Sequence, residues 1–188
     1  PGVDGDNVVQ AWEVLAGRAA VGGKAAVVGG NAVGLETALH LAHQGTLSPD
    51  ALHFLMVNRA ESLETLLHLL NRGTRKVTVV EMMPKAGKDL GLTTRWTLMA
   101  EMKRLGVSIM TKTEAVGIRP DGLEIRREGE TTFLPADTVV LAAGSRSENR
   151  LADEIAGIVP EIYTVGDAGT PRKALDAIRE GYLAGLKI

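Results

Sequence analysis

Short apolar runs alternate with stretches of helical spacing along most of this chain. Four runs, "KAAVV", "KVTVV", "VSIM" and "TVVLAA", predict buried strands, since they are short, continuously apolar and mostly rich in β-branched residues. Residues 32–44 and 93–105 instead place apolar side chains three and four positions apart, which predicts helices. This alternation predicts a Rossmann-like α/β fold with a doubly wound parallel sheet.

Further helices are predicted around this framework. Residues 6–17 read as a short helix that follows a linker. Two helices are predicted between about residues 46 and 73, where Ser48-Pro49 supplies an N-cap and a first-turn proline. Pro171 begins a last helix with one apolar face. That face consists of Ala174, Leu175, Ile178, Tyr182 and Leu186.

Three other segments differ from this pattern. Residues 114–136 contain short strands joined by Pro-Asp-Gly and Glu-Gly turns, which predict an inserted antiparallel β-meander. The stretch "EIYTVGDAG" predicts a strand that runs into a glycine-aspartate turn. The stretch "MPKAGKDLGL" predicts a solvated loop, with contact of Lys85 and Lys88 with a phosphate as the less favoured alternative.

Composition narrows the classes of function. The 188 residues carry a net charge of −2 and few aromatic side chains, so we expect neither nucleic acid nor a membrane surface as partner. The absence of cysteine excludes disulfides, a thiolate nucleophile and a cysteine-held cluster within the chain. We expect no metal site, because His40 and His43 lack a third ligand at suitable spacing. Without a signal peptide, the cytoplasm is the default location.

The stretch "VVGGNAVGLE" carries the candidate chemistry. Gly29, Asn31 and Gly34 follow the spacing G-x-G-x-x-G with one substitution, directly between a predicted strand and a predicted helix. A pyrophosphate would lie over the helix N-terminus. The candidate residues of this loop are Gly29, Gly30, Asn31, Val33 and Gly34. A tight strand-to-helix turn that binds nothing is the competing interpretation.

Asn31 leaves two further possibilities open. Asparagine tolerates a left-handed backbone, and its amide could donate a hydrogen bond to a phosphate oxygen. The same side chain could instead crowd the ligand, and we favour mild obstruction.

Glu81 ends the next predicted strand, where an acidic side chain accepts the ribose hydroxyls of NAD and repels the 2′-phosphate of NADP. The interval from the glycine loop is longer than usual, and the predicted helical pair accounts for the surplus. An ordinary solvated glutamate at a strand end is the alternative.

Several longer stretches together resemble one family. They are "PGVDG", "VVGGNAVGLETALHLA", "VTVVEMMPKAGKDLGLTTRW", "VVLAAGSRSEN" and "IYTVGDAGTPRKALDAIREGYLAG". The chain resembles the C-terminal pyridine-nucleotide-binding region of the NADH:flavin oxidoreductases related to 2,4-dienoyl-CoA reductase and trimethylamine dehydrogenase. These are flavoproteins of the two-dinucleotide-binding fold.

The resemblance implies a domain plan. Residues 1–23 would be a linker with a short helix, and 24–135 an NAD(H)-binding domain that includes the meander. Residues 136–188 would be an incomplete C-terminal piece of the flavin domain. We therefore expect a fragment of a larger flavoprotein, inactive alone, whose partner is the missing N-terminal flavin and FMN-barrel portion. The apolar last helix predicts self-association if this partner is absent.

The resemblance also assigns roles to residues. Glu36 would lie near the nicotinamide carboxamide, and Gly144 where the chain passes the dinucleotide. Gly166 and Asp167 would contact FAD, although only in the parent protein. We therefore expect an NADH-binding electron-entry module without a catalytic side chain. An ADP-binding structural or regulatory module is the alternative, and a flavin site assembled from two copies is a third possibility.

Overall fold

The computed structural model describes residues 1–188, which form two compact units, Pro1–Ala143 and Gly144–Ile188. All the β-strands lie in the first unit, so the α/β architecture belongs to it. No helix of the chain is long and apolar enough to cross a lipid bilayer.

A five-stranded parallel sheet is the framework of the first unit. Numbered along the chain, its strands are β1 (Val8–Gln10), β2 (Lys24–Val28), β3 (Lys76–Val80), β4 (Ser108–Met110) and β8 (Thr138–Leu141). They lie in the order β1-β8-β2-β3-β4. A separate antiparallel sheet contains β5 (Thr113–Arg119), β6 (Gly122–Arg127) and β7 (Glu130–Pro135). The predicted α/β fold with an antiparallel meander is confirmed.

The helices of the first unit are α1 (Ala11–Leu15), α2 (Ala32–His43), α3 (Pro49–Val57), α4 (Leu63–Asn71) and α5 (Leu92–Arg104). Helices α3 and α4 are the two helices predicted between β2 and β3. Ser48 and Ser62 cap them by accepting hydrogen bonds from the backbone of Ala51 and Thr65. Because β2 and β3 are nevertheless paired neighbours, the long interval between Gly34 and Glu81 does not separate them in space.

The central strands are buried on both faces. Val27 and Val79 pack with Leu35 of α2 and Met102 of α5 on one side of the parallel sheet. On the other side, Val139 and its neighbours pack against the antiparallel sheet. Burial on two faces explains why these strands read as unbroken apolar runs rather than as alternating ones.

Two boundaries differ from the sequence prediction. The helix predicted over 6–17 is only α1, because Val8–Gln10 pair with Val139–Leu141 as a parallel edge strand. The first compact unit also extends past residue 135, the predicted end of the NAD(H)-binding domain. Strand β8 lies between β1 and β2, and the unit continues to Ala143. Strand β8 pairs with strands that are distant in sequence, and a local pattern cannot predict such partners.

The second unit contains α6 (Arg150–Glu154), a 3₁₀ turn at Gly166–Ala168 and α7 (Ala174–Gly185). The strand predicted in "EIYTVGDAG" does not form. A strand needs a hydrogen-bonded neighbour, and the second unit has no strand to offer one. The predicted apolar stripe on the last helix is confirmed, since its large residues are at least 65% exposed. They are Leu175, Ile178, Tyr182 and Leu186.

Candidate dinucleotide-binding site

The first glycine of the loop makes the turn from β2 into α2. Gly29 has φ +108°, a backbone conformation that residues other than glycine rarely adopt. A Cβ at this position would lie 2.5 Å from the carbonyl oxygen of Ala142, at the end of β8. The Gly29 N–H donates to the carbonyl oxygen of Val80 at 2.9 Å. The turn is therefore held between the two strands that neighbour β2.

The third glycine packs the helix onto the turn. Gly34 is buried in the first turn of α2, and a Cβ there would overlap the carbonyl oxygen of Gly29. This contact is the close helix-to-loop packing expected for the last glycine of a dinucleotide-binding motif.

The side chain of Asn31 makes two hydrogen bonds within the protein. Its backbone is extended, with φ −75° and ψ −178°, so the position needs no left-handed conformation. As the N-cap of α2, its Oδ1 accepts the Gly34 N–H at 2.9 Å, while Nδ2 donates to the carbonyl oxygen of Ala142 at 2.6 Å. The side chain therefore ties the helix N-terminus to β8.

These two bonds lead to a prediction. Asn31→Asp should reduce NADH affinity about tenfold, through a negative charge beside the pyrophosphate. It should also lower the free energy of unfolding by about 1–3 kcal/mol, because a carboxylate cannot donate to Ala142. Calorimetric titration and urea unfolding measure the two effects.

Asn31→Gly is the matched variant, since it removes both bonds without adding charge. Tighter NADH binding in this variant would indicate obstruction by the asparagine, and weaker binding would indicate a direct or structural contribution. Unchanged affinity and stability in Asn31→Asp would show that the hydrogen bond to Ala142 is dispensable.

Glu81 meets the glycine loop directly. Its side chain is buried, and its Oε2 accepts the Gly30 N–H at 2.6 Å. Its Oε1 accepts the Met83 N–H, also at 2.6 Å. Parallel pairing of Val28 with Val80 brings the two strand ends together and makes this contact possible. Glu81 is thus not an ordinary solvated glutamate, although the sequence alone gave no sign of its bond to Gly30.

The segment after Glu81 folds back over the glycine loop. The Gly87 N–H donates to the carbonyl oxygen of Gly30 at 2.6 Å. Asp89 Oδ2 accepts the N–H of Ala32, the first residue of α2, at 3.0 Å. Sequence reasoning missed Asp89, because no local pattern connects residue 89 to a helix that begins at residue 32.

Two cavities adjoin this arrangement. One, of about 410 Å³, has Glu81, Lys85, Lys88 and Asp89 in its wall together with Gly30, Asn31 and Met83. The other, of about 350 Å³, shares Asn31, Glu81 and Met83 with the first. It is completed by ends of β2, β3 and β5, among them Val28, Val80 and Thr113. Polar groups thus converge on a concave surface that is otherwise partly apolar, as in ligand sites.

The remaining predicted residues lie elsewhere. Val33 and Glu36 are exposed on the first turns of α2, and the Glu36 carboxylate has no protein partner. Gly144, Gly166 and Asp167 belong to the second unit. There the Gly166 N–H donates to Glu180 Oε2 at 2.7 Å, and Asp167 Oδ1 accepts the Arg172 N–H at 3.2 Å. The structure therefore brings together the loop glycines, Asn31 and Glu81.

Solved structures resemble the whole chain. The complex of 2-naphthoyl-CoA reductase with 2-naphthoyl-CoA aligns with 100% of this chain and 24% of that chain, with TM-score 0.76 and 28% identity. Histamine dehydrogenase from Rhizobium sp. 4-9 aligns with 97% of this chain and 26% of its own, with TM-score 0.72 and 17% identity. The second similarity shows a shared fold.

Curated proteins are similar in sequence over nearly the same length. A metal reductase of Desulforamulus reducens is 46% identical over 184 residues, which are 98% of this chain and 28% of the relative. An NADH oxidase of Thermoanaerobacter brockii is 30% identical over 185 residues, which are 96% of this chain and 24% of the relative. The chain thus spans about a quarter of the length of these relatives.

A family model covers almost the whole chain. The model described as pyridine nucleotide-disulphide oxidoreductase matches residues 6–181, from β1 to the last helix. The match includes both the glycine loop and Glu81. The chain therefore belongs to the pyridine nucleotide-disulphide oxidoreductase family, a family of NAD(P)-binding flavoproteins.

Proposed function

We propose that this chain is the NADH-binding, electron-entry module of a larger flavoprotein oxidoreductase. The proposal rests on the hydrogen bond from the Gly30 N–H of the glycine loop to the Glu81 carboxylate, at the end of a parallel sheet. A buried carboxylate beside a strand–loop–helix turn is the arrangement that holds an adenosine ribose and its pyrophosphate. Similarity to an NADH oxidase of Thermoanaerobacter brockii is consistent with it.

The residues present fit a dinucleotide. Each oxygen of Glu81 accepts one backbone N–H and keeps a second lone pair, which can accept a ribose hydroxyl. The first turn of α2 has N–H groups without intrahelical partners, and the positive end of the helix dipole favours an anion there. Asn31 directs its side chain at the protein, and Asp89 accepts the N–H of Ala32 in the same turn.

The protein would bind and orient rather than react. When bound, NADH supplies the hydride that a flavin accepts. Glu81 would fix the adenosine end, and its charge would disfavour a 2′-phosphate. Glu36 would reach the carboxamide end. No side-chain acid or base is needed for these tasks, so we assign no catalytic residue.

One titration tests this proposal. We expect the chain to bind NADH more tightly than ADP or NADPH. Glu36→Ala should remove about 0.5–1.5 kcal/mol from NADH binding, the value of a hydrogen bond, and leave ADP binding unchanged. Isothermal titration calorimetry with the three ligands measures both differences.

Glu64→Ala is the control, since Glu64 is, like Glu36, an exposed acid near the start of a helix but lies on α4. A loss of ADP affinity equal to the loss of NADH affinity would remove Glu36 from the nicotinamide end. No binding of any of the three ligands would refute the proposed function.

An ADP-binding structural or regulatory module is the second candidate. It is favoured by the position of the two cavities described above, since Glu81, which would bind the adenosine end of the ligand, lines both of them. Equal affinities for NADH and ADP, with no effect of Glu36→Ala, would support this candidate instead.

We propose a different role for the second unit. Gly166 and Asp167 would contact FAD only together with the remaining portion of the parent protein, its flavin and FMN-barrel part. The exposed stripe of α7 supports this role, because such apolar surfaces mark contact sites. In the isolated chain the same stripe would favour self-association. The similarity to 2-naphthoyl-CoA reductase is consistent with a parent related to the dienoyl-CoA reductases.

A further inference from the structure

Asp89 contacts the N-terminus of α2, the kind of helix end at which anions bind. Its Oδ2 is 3.0 Å from the backbone nitrogen of Ala32, the first residue of α2. The loop that carries Asp89 is held in place by the hydrogen bond from the Gly87 N–H to the carbonyl oxygen of Gly30. A protein carboxylate therefore already uses part of the anion-binding capacity of this helix end.

We propose that Asp89 sets the affinity of the site by competing with the pyrophosphate of the ligand for the N-terminus of α2. This inference rests on the proposed nucleotide binding. Two anions cannot share one N–H and the same dipole end without repulsion. Binding of a diphosphate therefore has to displace the Asp89 carboxylate or to overcome its charge.

The surroundings of Asp89 make displacement feasible. Asp89 lines the cavity of about 410 Å³ together with Lys85 and Lys88. Since Lys85 and Lys88 line the same cavity, their ammonium groups can pair with the displaced carboxylate or with the incoming phosphates. The loop thus contains both the competing anion and the cations that balance it.

A simple helix cap is the rival explanation, and it makes a different prediction. Asp89→Asn keeps an oxygen that can accept the Ala32 N–H but removes the negative charge. A cap would keep its function with asparagine, which is as good a capping residue as aspartate. A competitor would lose its repulsion of phosphate, and only ligands that carry phosphate would respond.

The experiment compares adenosine, ADP and NADH as calorimetric ligands of the wild-type chain and of Asp89→Asn. We expect ADP and NADH to bind about three- to tenfold more tightly to the variant, the effect of removing one charge at a helix terminus. Adenosine affinity should not change. Asp50→Asn, with the same change of charge in the first turn of α3, should leave all three affinities unchanged.

Equal ADP affinities in the wild type and Asp89→Asn would overturn the inference, and so would weaker ADP binding in the variant. A parallel gain for adenosine would also overturn it, because the phosphates would then be irrelevant. If neither protein binds any of the three ligands, the proposed function itself fails, which is a distinct result.

Discussion

Gly34→Ala is expected to cost the first unit about 3 kcal/mol of unfolding free energy, the upper part of the usual range for overpacking. The added Cβ would overlap the carbonyl oxygen of Gly29, which is backbone and cannot rotate away. Helix α2 would have to move from the glycine turn, so dinucleotide binding should be lost as well. Urea unfolding followed by circular dichroism measures the first effect, and calorimetry the second.

Gly181→Ala is the matched control. Gly181 is also a helical glycine, in α7, but a Cβ there would meet no atom within 4 Å. The same substitution should therefore be neutral or stabilise its helix by up to about 1 kcal/mol, because alanine has the higher helix propensity. If Gly34→Ala is as stable as the wild type, the close packing of α2 on the turn is not a structural requirement.

Local pattern was sufficient to predict the centre of this fold. Strands β2, β3 and β8 are continuously apolar because both of their faces are buried, and α2 and α5 show the spacing of helices that pack on a sheet. The Pro-Asp-Gly turn identified the antiparallel sheet. These features depend on residues close together in sequence, which a pattern can detect.

Pairing between distant segments could not be predicted in the same way. Val8–Gln10 form a strand only because Val139–Leu141 lie beside them, more than a hundred residues later. The stretch "EIYTVGDAG" has the composition of a strand but no neighbour in its own unit. Strand formation depends on the partner as much as on the residues themselves.

The same distinction applies to the candidate site. The glycine spacing and the acid at the end of β3 were visible in the sequence. The actual partners of Asn31 were not, since the carbonyl oxygen of Ala142 and the N–H of Gly34 approach it from different elements. Asp89 was missed for the same reason. A motif therefore identified where the site lies, but only the structure shows which groups are already engaged.

Glu81→Arg should have the largest effect on nucleotide preference. We expect the difference between the binding free energies of NADPH and NADH to shift in favour of NADPH by about 1–3 kcal/mol relative to the wild type. The reason is that a charge that repels the 2′-phosphate is replaced by one that attracts it. Stability should also fall, since the backbone N–H groups of Gly30 and Met83 lose their acceptors. Each buried donor left without a partner costs about 1–3 kcal/mol. Parallel titrations with NADH and NADPH, and thermal unfolding, measure these effects.

Glu81→Gln separates the two contributions. The amide keeps one acceptor oxygen for the backbone but has no charge, so its NADH:NADPH preference should be intermediate between those of the wild type and Glu81→Arg. Its loss of stability should be smaller than that of the arginine variant, because one of the two N–H groups retains an acceptor. If a folded Glu81→Arg chain shows the wild-type preference, Glu81 supports only the backbone of the glycine loop, and the ribose binds elsewhere.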